Sequence, residues 1–150
     1  MSWSDLRKGR YSHEQGEYFV TFNTHNKEPI FNDFNFACLF SQQLALNQAK
    51  YNCTWLTWVL MPDHFHGLLR LEPKGASLSE VVGGLKGSTS LIINKKRKRQ
   101  GKFWQASFYD RALRLEGDRK NIARYIVANP LRRKLVNNIG YYSFWNSIYL

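Results

Sequence analysis

The segment 54–71, TWLTWVLMPDHFHGLLRL, constrains the fold more than any other part of the chain. Two apolar runs, Thr54–Met61 and Phe65–Leu71, flank Pro62-Asp63. Pro-Asp favours a turn, so the runs read as two antiparallel strands joined tightly. Successive side chains in a strand point to opposite faces. His64 and His66 therefore project together, while Phe65 points the other way, into a core. The chain has four histidines and places two of them here. Two neutral imidazoles at this spacing can ligate one divalent ion, but a third ligand must come from elsewhere. The plainer alternative is a pair of surface histidines with local hydrogen bonds.

The flanking sequence supplies the rest of a sheet and its helices. Tyr18–Phe22 is aromatic and β-branched, and reads as a strand. Asn32 or Asp33 can cap a helix in which Phe34, Ala37, Cys38, Ser41, Leu44 and Ala45 recur at helical spacing. Ser77 and Glu80 have the spacing of a capping box. Leu78, Val81, Val82 and Leu85 then form an apolar stripe that continues through Ile92 and Ile93. Gly83, Gly84 and Gly87 weaken the middle of that helix and permit a close backbone approach. Asn94–Lys102, NKKRKRQGK, reads as a solvated loop. Phe103–Leu115 resembles a kinked or bulged strand. A last helix opens near Asp118, a candidate cap, and ends or bends at Pro130.

The first six elements give β-α-β-β-α-β, the ferredoxin-like α+β pattern: one antiparallel sheet with two helices on one face, followed here by an additional helix. The expectation is a single domain over 1–150, with an N-terminal extension at 1–16 and an aromatic tail at 137–150 that packs back.

Hydrophobic residues make up 43% of the chain, which excludes a disordered composition. Two cysteines without close spacing read as core thiols of a reducing compartment. No signal run and no 18-residue apolar stretch is visible, so a cytoplasmic location without membrane spanning is expected. Charge is more informative. The net charge is +11, and it is unevenly spread. Residues 1–85 hold 7 Lys/Arg against 8 Asp/Glu, whereas residues 86–150 hold 15 against 3. A concentrated positive field points to a polyanion, most often nucleic acid.

Tyr125 and Asn129 lie one turn apart on the last helix and share a face. Each has a structural alternative, Tyr125 as packing on the sheet and Asn129 as a cap before Pro130. A helix laid across the open sheet face would bring both to the histidine pair. Imidazoles, an amide oxygen and a hydroxyl would then surround one point. Oxygen ligands suit Mg²⁺ or Mn²⁺. A metal between a phenol and a phosphodiester can polarise a phosphate oxygen and stabilise the leaving oxygen. A free phenol is a poor nucleophile, so it would need activation.

Four stretches carry a family resemblance: YFVTFNTHNKEPIF, MPDHFHGLLRL, FWQASFYDRALR and NIARYIVANPLRRKLV. Together they resemble the REP-associated tyrosine transposases of the small single-tyrosine HUH superfamily, over about residues 17–136. The resemblance implies a nuclease domain that binds single-stranded DNA hairpins from repetitive extragenic palindromes. It implies that His64 and His66 hold a divalent metal, that Asn129 is the third ligand and that Tyr125 is the nucleophile. It also implies transesterification through a 5′-phosphotyrosine, a bacterial, monomeric enzyme and no need for ATP. Nothing in the chain resembles a Walker loop.

Lys86, Lys95, Lys96, Arg97, Lys98, Arg99 and Lys102 are then the expected backbone-contact group, with a flexible solubilising loop as the alternative. Arg111, Arg114, Arg119, Lys120 and Arg124 precede the nucleophile, and at least one is expected near the cleaved phosphate. Arg7, Lys8 and Arg10 fit recognition of a guide sequence beside the hairpin stem. Trp3 and Tyr11 are candidates to stack on unpaired bases, whereas Trp104, Phe108 and Tyr109 read as core. The rival functions are a non-catalytic DNA- or RNA-binding protein and a metal-dependent hydrolase. No RNP-like aromatic signature favours the former.

Overall fold

The computed structural model describes residues 16–113 and 116–149. Strand β1 (Glu17–Asn23) buries alternate residues, Tyr18, Val20 and Phe22. Helix α1 (Phe34–Tyr51) is capped by Asp33, whose carboxylate accepts from the Asn35 and Phe36 amides at 2.9 and 3.2 Å. Strands β2 (Cys53–Met61) and β3 (His64–Leu71) form the expected tight hairpin. Helix α2 (Leu78–Arg97) begins with the complete Ser77–Glu80 capping box. Strand β4 (Tyr109–Ala112), helix α3 (Glu116–Val127), a short helix α4 (Asn129–Arg132) and strand β5 (Trp145–Ser147) follow. The sheet order is β4-β1-β3-β2-β5, antiparallel at every junction. The first four strands in this order are ferredoxin-like.

The sheet has two apolar faces. On one, Phe65 is fully buried, and its ring meets Phe22, Phe40, Trp55 and Trp58 at centroid distances of 5.0, 5.1, 5.2 and 6.5 Å. Helices α1 and α2 cover this face. Buried Asn47 ties them to the sheet: its amide donates to Val81 O at 3.0 Å, and its oxygen accepts from Trp55 Nε1 at 2.9 Å. On the other face, Leu56, Val59, Met61 and Leu68 pack against Ile122 and Ile126 of α3. A bulge between Trp55 and Thr57 makes this possible. The extra residue reverses the alternation, so that Val59 and Met61 point away from the face that Trp55 fills.

Several expectations shift. Phe34 is exposed, and the buried stripe of α1 is Ala37, Phe40, Leu44 and Asn47. Asn94–Arg97 extend α2 rather than forming a loop, and Lys98 ends it in the left-handed conformation, φ 57°. Basic residues in a last helical turn complement the negative end of the helix dipole. The segment after Phe103 is not one strand. Trp104 bridges Thr24, Ser107 turns the chain at φ 69°, and β4 starts at Tyr109. Asp118 lies inside α3, beyond its first residue. The tail does pack back, adding β5 to the edge of β2, with Thr57 and Ser147 hydroxyls 2.9 Å apart.

The three glycines of α2 also separate. A Cβ at Gly84 would lie 2.6 Å from ring carbons of Tyr51, whereas Gly83 and Gly87 face open space. Gly83→Ala should therefore stabilise the protein by about 0.5–1 kcal/mol through helix propensity. Gly84→Ala should destabilise it, because displacing a packed ring costs roughly 1–3 kcal/mol. Urea unfolding of both variants checks the opposite signs.

Candidate functional site

The β1–β3 register sets Thr21 opposite His66 and Asn23 opposite His64. Both imidazoles are on the face that α3 crosses. Their rings lie 4.6 Å apart, nearly perpendicular. Each Nδ1 is engaged: His64 donates to Asp63 Oδ1 at 2.6 Å, and His66 lies 2.6 Å from Thr21 Oγ1. Phe19 stacks on the His66 ring at 5.7 Å. With its Nδ1 proton given to Asp63, His64 keeps the Nε2 lone pair for a ligand, and His66 does the same in the tautomer that donates Nδ1–H to Thr21. Histidines that bind metals commonly have their second nitrogen fixed in this way.

Helix α3 brings the third and fourth groups. A 12-residue helix is marginal in isolation. Burial of Ile122 and Ile126, worth roughly 1.5–3 kcal/mol each, holds it on the sheet. Ile122, Tyr125, Ile126 and Asn129 recur at i, i+3, i+4 and i+7, so the phenol and the carboxamide follow the apolar seam. Pro130 interrupts the helix only briefly, and Asn129 stays on the sheet side, 4% exposed. Tyr125 is 52% exposed, with its ring 6.2 Å from that of His66 and 6.1 Å from that of Phe19. The guanidinium of Arg132 lies 4.0 Å above the Tyr125 ring, and Arg132 Nη2 donates to Tyr125 O at 2.8 Å.

A cavity of about 350 Å³ joins His64, His66, Tyr125 and Asn129. Asp63, Lys27, Arg132 and Arg133 complete its charged lining. Among the described residues, no three His, Cys, Asp or Glu side chains are grouped so that they could hold a metal ion. A metal here would therefore rest on two imidazoles and the Asn129 amide oxygen. Asn129 makes no side-chain hydrogen bond to another described residue and lines the cavity, so its amide oxygen is available. The donor set fits a divalent ion with open positions.

The other expected nucleic-acid residues are dispersed. Lys95, Lys96, Lys98, Lys102, Lys120 and Arg124 are exposed. Arg97 and Arg99 are held by Glu28, at 3.4 and 2.6 Å. Lys86 donates to Gln105 O and Ser107 O at 2.9 and 2.7 Å, which pins the loop before β4. Arg119 is paired with Glu17. These two cations are bound into the fold rather than offered to a phosphate. Arg111 lies near Tyr125, in a separate cavity. Arg7, Lys8, Arg10, Arg114, Trp3 and Tyr11 fall outside the described residues. Trp104 and Phe108 pack with the core as expected, but Tyr109 is 43% exposed and faces the Tyr125 side. Sequence reasoning missed Lys27, Arg132 and Arg133 at the imidazoles. Arg132 was findable, since it lies seven residues beyond Tyr125, two turns along the same face. Lys27 was not, because a left-handed turn at φ 53° places it.

Comparisons with known proteins place the chain in a family. The family model described as IS200-like transposase matches residues 12–129, and the chain belongs to that family of transposases. No curated protein matches the chain. Among solved structures, it resembles a REP-associated tyrosine transposase bound to a REP hairpin. The TM-score is 0.79 at 20% identity, covering 91% of this chain and 79% of that one. It also resembles a proposed transposase from Deinococcus radiodurans R1, with TM-score 0.57 at 22% identity, covering 79% of this chain and 94% of that one. Among the described residues, no helix is long and apolar enough to cross a membrane.

Burial, then the neighbouring charges of His64, Arg132 and Arg133, lower the His66 pKa to about 3. Burial also lowers that of His64, against the opposing effect of the hydrogen bond it donates to Asp63. Both rings are neutral at pH 7, as ligation requires. Below the ordinary value of 6.5, the unfolded chain takes up protons that the native state refuses. Stability should therefore fall as pH drops from 6.5 toward about 3. In EDTA, urea midpoints of the wild type should decline already between about pH 6.5 and 5, above most carboxylate titration. His66→Gln should flatten that decline, and an unchanged slope would rule out this origin.

Proposed function

We propose that the protein is a metal-dependent single-stranded DNA endonuclease and strand transferase that works through Tyr125. The observation that carries this reading is the convergence of a half-exposed phenol, two neutral imidazoles and an unpartnered amide on one cation-rimmed cavity. Lys27, Arg132 and Arg133 give that cavity the charge to receive a phosphodiester.

In the reaction, the Tyr125 oxygen bonds to the scissile phosphorus as its proton departs. The bond from phosphorus to the 3′-oxygen breaks, and that oxygen takes up a proton. The 5′-phosphate is then esterified to Tyr125, and a free 3′-OH remains. A second 3′-OH can attack the same phosphorus, release the phenol and join new ends. One phosphodiester is exchanged for another, so no nucleotide triphosphate is consumed. A divalent ion, Mg²⁺ or Mn²⁺, bound by His64, His66 and Asn129 would polarise the phosphate and stabilise the leaving oxygen. Arg132, stacked on the Tyr125 ring, restricts the phenol's orientation.

The partner in this reading is a single-stranded hairpin from repetitive extragenic palindromes. Support comes from the structural neighbour bound to such a hairpin and from the basic second half of the chain. Lys95, Lys96, Lys98, Lys102, Lys120 and Arg124 are the exposed candidates for the DNA backbone. All four proposed site residues come from one chain, which favours a monomer.

End-labelled hairpins of this type, incubated with Mg²⁺ or Mn²⁺, should yield a covalent protein–DNA adduct carrying the downstream strand. Tyr125→Phe, His64→Ala and excess EDTA should each abolish it. Cleavage that survives Tyr125→Phe would leave a hydrolase instead, and binding without any adduct would favour a non-catalytic binder. Asp63→Asn should reduce adduct formation or metal affinity by about 10- to 100-fold, since it removes the charge that orients His64. Metal titration of adduct yield checks this.

A further inference from the structure

Tyr125 separates two cavities. The second, of about 510 Å³, shares Thr21, His66 and Tyr125 with the first, but its remaining walls differ in chemistry. Phe19, Tyr109 and Ile122 supply ring and aliphatic surface, and Arg111 and Asn121 supply polar groups. No carboxylate lines it among the described residues, and Arg111 is its one lining cation there. The imidazole cavity, by contrast, has Lys27, Arg132 and Arg133. Charge suited to a phosphate is thus concentrated on one side of Tyr125, and flat apolar surface on the other.

The rings form a fixed set. Phe19 lies flat on His66 and meets Tyr109 edge to face at 6.2 Å, and Tyr125 likewise at 6.1 Å. Tyr109 nevertheless keeps 43% of its surface exposed, at the start of edge strand β4. Aromatic surface left open beside a phosphate site matches the face of an unstacked base, whichever base it is. Arginine and asparagine are the side chains that pair bidentately with purine edges, guanine O6 and N7 or adenine N6 and N7.

We propose that this second cavity holds one unstacked purine of the cleaved strand, a base next to the scissile phosphate, packed on Tyr109 and read by Arg111 and Asn121. This rests on the strand-cleavage reading above. A phosphate held at the imidazoles leaves an adjoining base only the width of the Tyr125 ring from the cavity. The cavity would therefore set sequence preference at the cut, whereas backbone contacts elsewhere would set hairpin affinity.

The test uses the full-length protein and hairpins with single-stranded flanks, each carrying one abasic site at successive positions around the cut. Affinity is read by fluorescence anisotropy. One abasic position should weaken wild-type binding by roughly 5- to 100-fold. Tyr109→Ala should weaken binding of the intact strand similarly, and the abasic site at that position should then cost nothing further. Tyr109→Phe should retain the coupling, which separates loss of stacking from loss of fold. A pyrimidine at that position should weaken wild-type binding but not that of Arg111→Ala/Asn121→Ala. If hairpins bind but no position couples to Tyr109, this inference falls and the cleavage reading stands. If no hairpin binds, both fall.

Discussion

Phe65 decides which way the histidines face. Its ring is enclosed by Phe22, Phe40, Trp55 and Trp58 on the side that α1 and α2 cover. Strand alternation then sends His64 and His66 to the opposite face. A slip of one residue in the β1–β3 pairing would bury both imidazoles in an aromatic core and expose Phe65, a change that costs hydrophobic burial and strands polar groups at once. The same pairing sets Thr21 beside His66. One packed ring thus determines the direction, the spacing and the hydrogen-bond partner of the histidine pair.

The second face needs its own solution, because the site lies between the sheet and a helix that must stay put. The bulge in β2 turns Val59 and Met61 toward α3, where Ile122 and Ile126 complete a small core. That core is adjacent to the imidazoles and supplies the burial that keeps them neutral. It also fixes the angle of the helix carrying Tyr125. The cations around the cavity reinforce that neutrality and leave positive charge on its rim. Stability of the fold and readiness for chemistry thus come from the same few contacts.

The strand–helix order, the hairpin at Pro62-Asp63, the capping box and the four groups His64, His66, Tyr125 and Asn129 were all readable along the chain. Each rests on a local rule: a period of two, a period of 3.6, or a residue type suited to a turn or cap. Charged residues were less readable. Lys95–Arg97 looked like a loop, but they finish a helix whose dipole they complement. Lys86 and Arg119 looked available, but they bind loop carbonyls and Glu17. Tyr109 looked like core, but it opens onto a cavity. A long side chain's partner depends on what the fold brings near it, and sequence spacing carries no such information.

The sequence by itself therefore determined the order of the main strands and helices, the face of β3 that carries the histidines and the chemical types that could meet. Those follow from backbone periodicity and from which side chains avoid water. Only the tertiary structure decided that the phenol stands at a boundary, with imidazoles and cations on one side and a ring-lined cavity on the other. It also decided that Arg132 and Arg133 approach the imidazoles, while Lys86 and Arg119 are taken up internally. These outcomes depend on the crossing of α3 over a bulged sheet, a geometry set by the sum of many packing contacts distant in sequence.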